Sequence, residues 1–196
     1  MIIQNWFPTF IGHIDNENHK KYENKLTNIC KKIKKEISSG GKNWISKNTY
    51  NTYGTYNLIN IKEFNNLNEW IFEQIKNYSN KLGYKNNFIC DESWFNIYNK
   101  NDFQEFHTHS KHSLSAIYFL NSPKEGAART FFESPIKEES QDPLCDYNNP
   151  LLFKKVHYYP KPGRLIIFRS NISHCVERHE SNELRISLAY NFKILQ

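Results

Sequence analysis

The stretch FHTHSKHSLSAIYFLN, residues 106–121, opens with three histidines within six positions and runs straight into an alternating apolar segment. In an extended strand, side chains two apart point the same way. SLSAIYFLN, 113–121, therefore reads as a strand, and the extended HTH before it puts His107 and His109 on one side, where both can grip a single ion. Imidazole nitrogen suits Fe, Zn, Cu or Ni. His112 falls out of that register and reads as a loop residue, whereas Glu105 shares the face of His107 and His109 if the strand extends that far, as a replacement or supplementary ligand. An isolated HxH is equally a polar strand end, so its meaning depends on what lies elsewhere in the chain.

Working outward, the two-residue period recurs. SWFNIYN at 93–99, RTFFES at 129–134, FKKVHYYP at 153–160, GRLIIFRS at 163–170 and ELRISLAYNFKI at 183–194 are all strand-like. Short strands separated by roughly 8–12 residues indicate a sandwich or jelly roll. The segment 134–150 is polar and proline-marked, and reads as a long surface loop suited to substrate selection. Before residue 88 the period is different. Tyr22, Leu26, Ile29, Cys30, Ile33 and Ile37 recur at spacings of three and four, and so do Leu67, Trp70, Ile71, Ile75, Tyr78 and Leu82. These predict helices over 18–38 and 66–82, the first stopped by Ser38-Ser39-Gly40-Gly41 and the second by Gly83. The expected class is mainly β with N-terminal helices, an α+β arrangement in one domain over 1–196: a helical support region over 1–87 and a β core over 88–196.

With 196 residues and 15% aromatics, the chain can bury a substantial core. The formal charge of +6 comes mostly from dispersed lysines, and the densest run, KKIKK at 31–35, lies on the solvated face of a helix; nucleic acid is only weakly indicated. Cys30, Cys90, Cys145 and Cys175 form no CxxC pair, which argues against a zinc knuckle or a redox motif. MIIQNWFPTF lacks the basic start and apolar run of a signal peptide, and no stretch approaches the ~20 apolar residues of a membrane span. The expectation is a cytoplasmic protein with reduced thiols and no membrane partner. The aromatic-rich N-terminal half leaves a homo-oligomer open.

The C-terminal half supplies partners for the HxH pair. In GRLIIFRSNISH, His174 follows a strongly apolar strand, with Cys175 on the opposite face as a core residue; His157 and His179 read as solvent-facing or locally packed. Eleven positions after His174 comes Arg185, which shares a strand face with Ser187 and Ala189. An arginine facing a sandwich interior is costly unless it meets an anion, and a carboxylate suits the guanidinium fork. By alternation alone, that face is as readily solvent as interior.

The order HxH, strand, long insert, PGRLIIF, lone His, then RxS resembles the C-terminal core of the iron(II)- and 2-oxoglutarate-dependent dioxygenases over roughly 90–194. Trp94, Asn96, Tyr98, SAIYFL at 115–120, WFPTF at 6–10 and NWIS at 43–46 are similar to a little-characterised bacterial and phage branch of that family. The resemblance implies a double-stranded β-helix, with Fe(II), 2-oxoglutarate and O2 as cofactor and co-substrates. It implies His107, His109 and His174 as metal ligands, and Arg185 with Ser187 on the far carboxylate of 2-oxoglutarate. Asn96, Tyr98 and Tyr118 are candidates for contacting the co-substrate or for ordinary core. The implied activity is hydroxylation with release of succinate and CO2, on a protein side chain, nucleobase or small molecule, in the host cytoplasm if the gene is a phage's. The chain departs from the pattern at His109, where the family carries Asp or Glu. Two alternatives follow: a three-histidine cupin-type dioxygenase that does not use 2-oxoglutarate, and a non-enzymatic jelly-roll binding protein.

Overall fold

The computed structural model describes residues 1–2, 8–85, 87–136 and 153–195. Both predicted helices form. Helix α1, Glu23–Glu36, is preceded by a single 3-10 turn at His19–Lys21, and it ends where Ile37 turns extended, just ahead of the Ser-Gly stop. Helix α2, Asn65–Lys81, closes with the Tyr84 N–H on the Ser79 carbonyl at 3.0 Å. Gly83 at φ +77° supplies the left-handed turn that this closure requires. Leu26, Cys30 and Ile33 from α1 and Leu67, Ile71 and Ile75 from α2 are buried in one core cluster. Each fully buried Leu or Ile contributes on the order of 1.5–3 kcal/mol relative to exposure.

Ten strands are found among the described residues: β1 Ile11–Asp15, β2 Tyr50–Asn51, β3 Phe88–Tyr98, β4 Gln104–His107, β5 Leu114–Asn121, β6 Thr130–Glu133, β7 Lys155–Tyr158, β8 Arg164–Arg169, β9 His174–Val176 and β10 Arg185–Ile194. They form a six-stranded sheet, β1-β8-β5-β10-β3-β2, and a four-stranded sheet, β4-β9-β6-β7. Strands β3 to β10 divide four and four between the two sheets, the layout of a double-stranded β-helix or jelly roll. The N-terminal half is not purely helical: β1 pairs antiparallel with β8, and β2 with β3, so it extends the larger sheet at both edges. Tyr50–Asn51 is too short for a period to show and IGHID has no apolar alternation, and these strands exist because an edge was waiting for them. Asp15 fastens β1, accepting from Arg164 Nε at 2.7 Å and from Lys161 Nζ at 2.6 Å.

The larger sheet is buried on both faces. Phe95 and Ile97, Ala116, Tyr118 and Leu120, Leu165 and Ile167, and Ile186, Leu188 and Tyr190 belong to the cluster packed against the helices. Alternate residues of the same strands, among them Asn96, Ser115, Arg185 and Ser187, line a cavity between the two sheets. Tyr118 is therefore corrected from a co-substrate contact to a member of the helix-side core. Its hydroxyl bonds His19 Nδ1 at 2.9 Å and its ring meets Trp70 edge-on. The neighbouring Ile117 takes the inward position, as the strand period requires.

Leu188→Ala is expected to lower the unfolding free energy by about 2–5 kcal/mol, as seen for buried Leu truncations. Asp15→Asn should lose at most ~1 kcal/mol at pH 7, because the pair is partly exposed and screened. The Arg164 hydrogen bond holds the Asp15 carboxyl at about 2, below its usual 3.8, so that contribution is present above pH 3.8 and fades as pH falls towards 2. Urea melts of the two variants at pH 7, and of Asp15→Asn down to pH 2.5, check both expectations.

Candidate metal centre and co-substrate pocket

His107 is the last residue of β4 and His174 the first of β9, and the two stand directly opposite each other in the ladder. Their ring centroids are 4.2 Å apart, and those of His109 lie 5.0 Å from His107 and 5.2 Å from His174. One nitrogen from each ring falls within 4.8 Å of the others, a spacing that can hold one ion. The tautomers of two rings follow from their partners. His107 Nδ1 lies 2.8 Å from the Glu105 carbonyl and His174 Nδ1 lies 3.0 Å from the Ile172 carbonyl. A carbonyl only accepts, so both Nδ1 atoms carry the proton and both Nε2 lone pairs are left for a ligand. Burial, chiefly, lowers the pKa of all three, with His109 at about 3, so the rings are neutral near pH 7, as metal ligation requires.

His109 does not sit on the strand as the sequence pattern suggests. It lies two residues beyond β4, with its peptide N–H on the Ser170 carbonyl at 2.8 Å and its ring edge-on to Trp94 at 5.7 Å. Glu105 is corrected as well. The β4 ladder is irregular between Gln104 and His107, which breaks the two-residue period. The Glu105 carboxylate turns to the N-terminal segment and accepts from the backbone N–H groups of Ile45 at 2.8 Å and Ser46 at 3.2 Å. His112 lies in the loop between β4 and β5, as its register predicts, and there its Nε2 contacts Asp91 Oδ2 at 2.8 Å with its side chain only 5% exposed. His179 packs locally, between the Ala128 N–H and the Glu183 carbonyl, and His157 stacks beside Phe131. Cys175 is half-buried rather than core, and its thiol is pushed up to about 11, mainly by burial.

Arg185 lines the same cavity as the three histidines. This arginine has no exposed surface. Nη1 donates to Ser187 Oγ and Nη2 to Thr130 Oγ1, both at 3.2 Å, while the guanidinium sits 4.6 Å from the Tyr98 ring and 5.2 Å from the Phe119 ring. Nε has no partner, nor do the nearby Asn96 Oδ1 and Trp94 Nε1. Among the described residues no carboxylate forms an ion pair with Arg185. Two hydroxyls and two ring faces do not compensate a buried cation. The polar atoms left open are those an anion would complete, and three convergent imidazole lone pairs line the same cavity. The donor set fits Fe(II) together with a carboxylate co-substrate.

Sequence reasoning missed Thr130, Gln104 and Trp44. Thr130 alternates inward with Phe132 on β6, a signal legible in RTFFES. Gln104 lies on the near side of the β4 irregularity. Trp44 reaches the cavity from the long N-terminal connection and gives no periodic signal.

No curated protein sequence matches the chain. The chain resembles several solved structures in fold. A Pseudomonas putida prolyl-4-hydroxylase aligns at TM-score 0.66 and 14% identity over 93% of this chain and 92% of that one. The viral collagen prolyl hydroxylase of Paramecium Bursaria Chlorella virus-1, in its 2OG complex, aligns at 0.59 and 14% over 93% and 94%. The α-ketoglutarate-dependent epimerase SnoN from nogalamycin biosynthesis aligns at 0.68 and 10% over 94% and 76%. Residues 92–191 match the model of the family described as "Putative 2OG-Fe(II) oxygenase". That span takes in both halves of the cavity, from Asn96 to Ser187, and the chain belongs to the 2OG-Fe(II) oxygenase family, enzymes that work with Fe(II), 2-oxoglutarate and O2.

Proposed function

We propose that His107, His109 and His174 hold Fe(II), that Arg185 and Ser187 receive the far carboxylate of 2-oxoglutarate, and that the chain hydroxylates a substrate with release of succinate and CO2. The observation that carries this reading is the buried Arg185, without a carboxylate partner among the described residues, in the same cavity as the three convergent imidazoles. Thr130 joins Ser187 in steering the guanidinium, and the Tyr98 and Phe119 rings wall it from water. Bound iron would supply activation of O2 coupled to decarboxylation of 2-oxoglutarate. The protein's part is to keep three imidazoles neutral, hold them convergent and exclude solvent. Three neutral ligands bring no negative charge to the ion, so the compensating charge arrives with the co-substrate, and the Arg185 cation adds to that demand. The same arginine disfavours a three-histidine dioxygenase that does without 2-oxoglutarate.

Residues 1–87 serve in this reading as a supporting layer that backs the larger sheet and lends Trp44 to the cavity, with 88–196 as the catalytic core. The substrate is left at the level of a peptide side chain or a small molecule. One structural neighbour, a prolyl hydroxylase from Trichoplax adhaerens, is in complex with a hypoxia inducible factor peptide fragment, and SnoN is in complex with nogalamycin RO. No helix among the described residues is long and apolar enough to cross a membrane. The loop expected to select substrate, 134–150, lies outside the described residues from 137 onward.

Titrating 2-oxoglutarate into the anaerobic Fe(II) protein should produce a metal-to-ligand charge-transfer band, absent in His174→Ala. Arg185→Met should weaken 2-oxoglutarate binding by at least ~30-fold, the effect of truncating one partner of a buried charge pair at ~2 kcal/mol or more. Binding that survives this substitution would sink the assignment. Without co-substrate, the same variant is expected to be as stable as the wild type or more so in urea, since it removes a buried charge that no anion balances. An Arg185 serving only the core would instead lose stability.

A further inference from the structure

His107 and His174 are fixed twice, by opposed positions in the β4–β9 ladder and by Nδ1–H bonds to carbonyls. His109 has neither support. It lies between β4 and β5, and among the described residues no hydrogen bond reaches its ring nitrogens. The neighbouring Thr108, Ser110 and Lys111 are exposed. What holds it is its peptide. The N–H is bonded to the Ser170 carbonyl, and its own carbonyl accepts from the His112 N–H at 2.9 Å. That second bond closes a turn over 109–112, and the turn is pinned from above. The His112 ring is almost wholly enclosed and its Nε2 bonds Asp91 Oδ2 at 2.8 Å, with Glu92 Oε2 at 3.8 Å. Asp91 stands on β3 and is itself held by Lys193 Nζ of β10 at 2.7 Å. The chain of contacts runs from the neighbouring strands β3 and β10 of the larger sheet to the one candidate ligand that the ladder does not fix.

We propose that His112 and Asp91 are positioning residues that hold the 109–112 turn so that His109 converges with His107 and His174. This rests on the reading of those three histidines as the metal ligands. It assigns a role to the third histidine of the HTHSKH cluster, one that acts through the backbone and not through the ion. A partner that orients a ligand at one remove typically affects metal affinity by about 10–100-fold.

Cobalt(II) alone is a suitable probe, with affinity read by equilibrium dialysis and geometry by visible d–d absorption. The wild type is expected to bind one equivalent, and His109→Ala to show the spectrum of a site that has lost one imidazole. His112→Leu and Asp91→Ala should reproduce that spectral change and weaken binding by about 10–100-fold. His112→Gln, which keeps an N–H donor near the position of Nε2, should retain the wild-type spectrum. Unchanged spectrum and affinity in folded Asp91→Ala overturn the proposal, and this variant carries the test if His112→Leu fails to fold. A second equivalent of cobalt that disappears in Asp91→Ala also overturns it, because Asp91, Glu92 and His112 would then be ligands themselves. No cobalt uptake by the wild type refutes the three-histidine centre and this proposal with it. The two failures are thus separable: the first leaves a cobalt site of unchanged affinity, the second leaves none.

Discussion

Strand β10 runs through the middle of the larger sheet, between β3 and β5, and from Arg185 to Phe192 neither of its faces meets water. Everything else in the molecule depends on that constraint. A strand buried on both sides must satisfy two environments with one two-residue period. Ile186, Leu188 and Tyr190 go to the apolar side, where α1 and α2 cover them. Arg185, Ser187 and Asn191 go to the other side, where only a polar cavity can receive them. The same division passes through β3 and β5, so the helices are as necessary to the cavity as the residues that line it. Without their cover one face of the sheet would be open apolar surface, and the alternation that aims Arg185 inward would lose its reason.

The polar face is not simply polar. Ser115 bonds Ser170 and Asn191, and Asn191 bonds Glu92, so one end of the cavity is a closed network. At the other end Arg185 keeps an unpartnered Nε, and Asn96 keeps an unpartnered Oδ1. Trp94 Nε1, also in this cavity, is open as well. Native interiors rarely leave buried polar atoms open, and each one calls for an explanation such as strain, a water, an ion or a catalytic role. On the proposed reading, co-substrate binding would relieve the desolvation cost of the buried arginine, which would tie co-substrate affinity to that burial.

The histidine set poses the converse problem of electrostatics. Three imidazoles crowded within contact distance would repel if charged, and burial removes that hazard by keeping them neutral. Family relatives that place a carboxylate at the second position lower the charge of the ion from the protein side. With three histidines as the ligands, as proposed, this chain would leave that charge for an incoming anion, and the buried guanidinium lining the same cavity has the same preference. Both features favour an anionic co-substrate, and both follow from residues contributed by the two sheets of one jelly roll.

Much of this was legible in the amino-acid sequence, for a clear reason: period is a local property. The 3.6 period of Leu26–Ile33 and Leu67–Ile75, and the two-residue period of 93–99, 113–121, 163–170 and 183–194, marked the elements, and the order HxH, His174, Arg185 marked the chemistry. Parity within β10 put Arg185 and Ser187 on one face. The sequence alone could not say which face was interior, because that depends on which other segments come to cover the sheet. Only the tertiary structure decided that Tyr118 turns to the helices, and that β1, which has no apolar alternation, and β2 and β9, too short to show one, pair at all. It also decided that an irregularity in β4 carries Glu105 away from the histidines and that His109 is set by a turn outside the ladder. Each of these outcomes is imposed by a partner distant in the chain, and a pattern read along the chain holds no record of such partners.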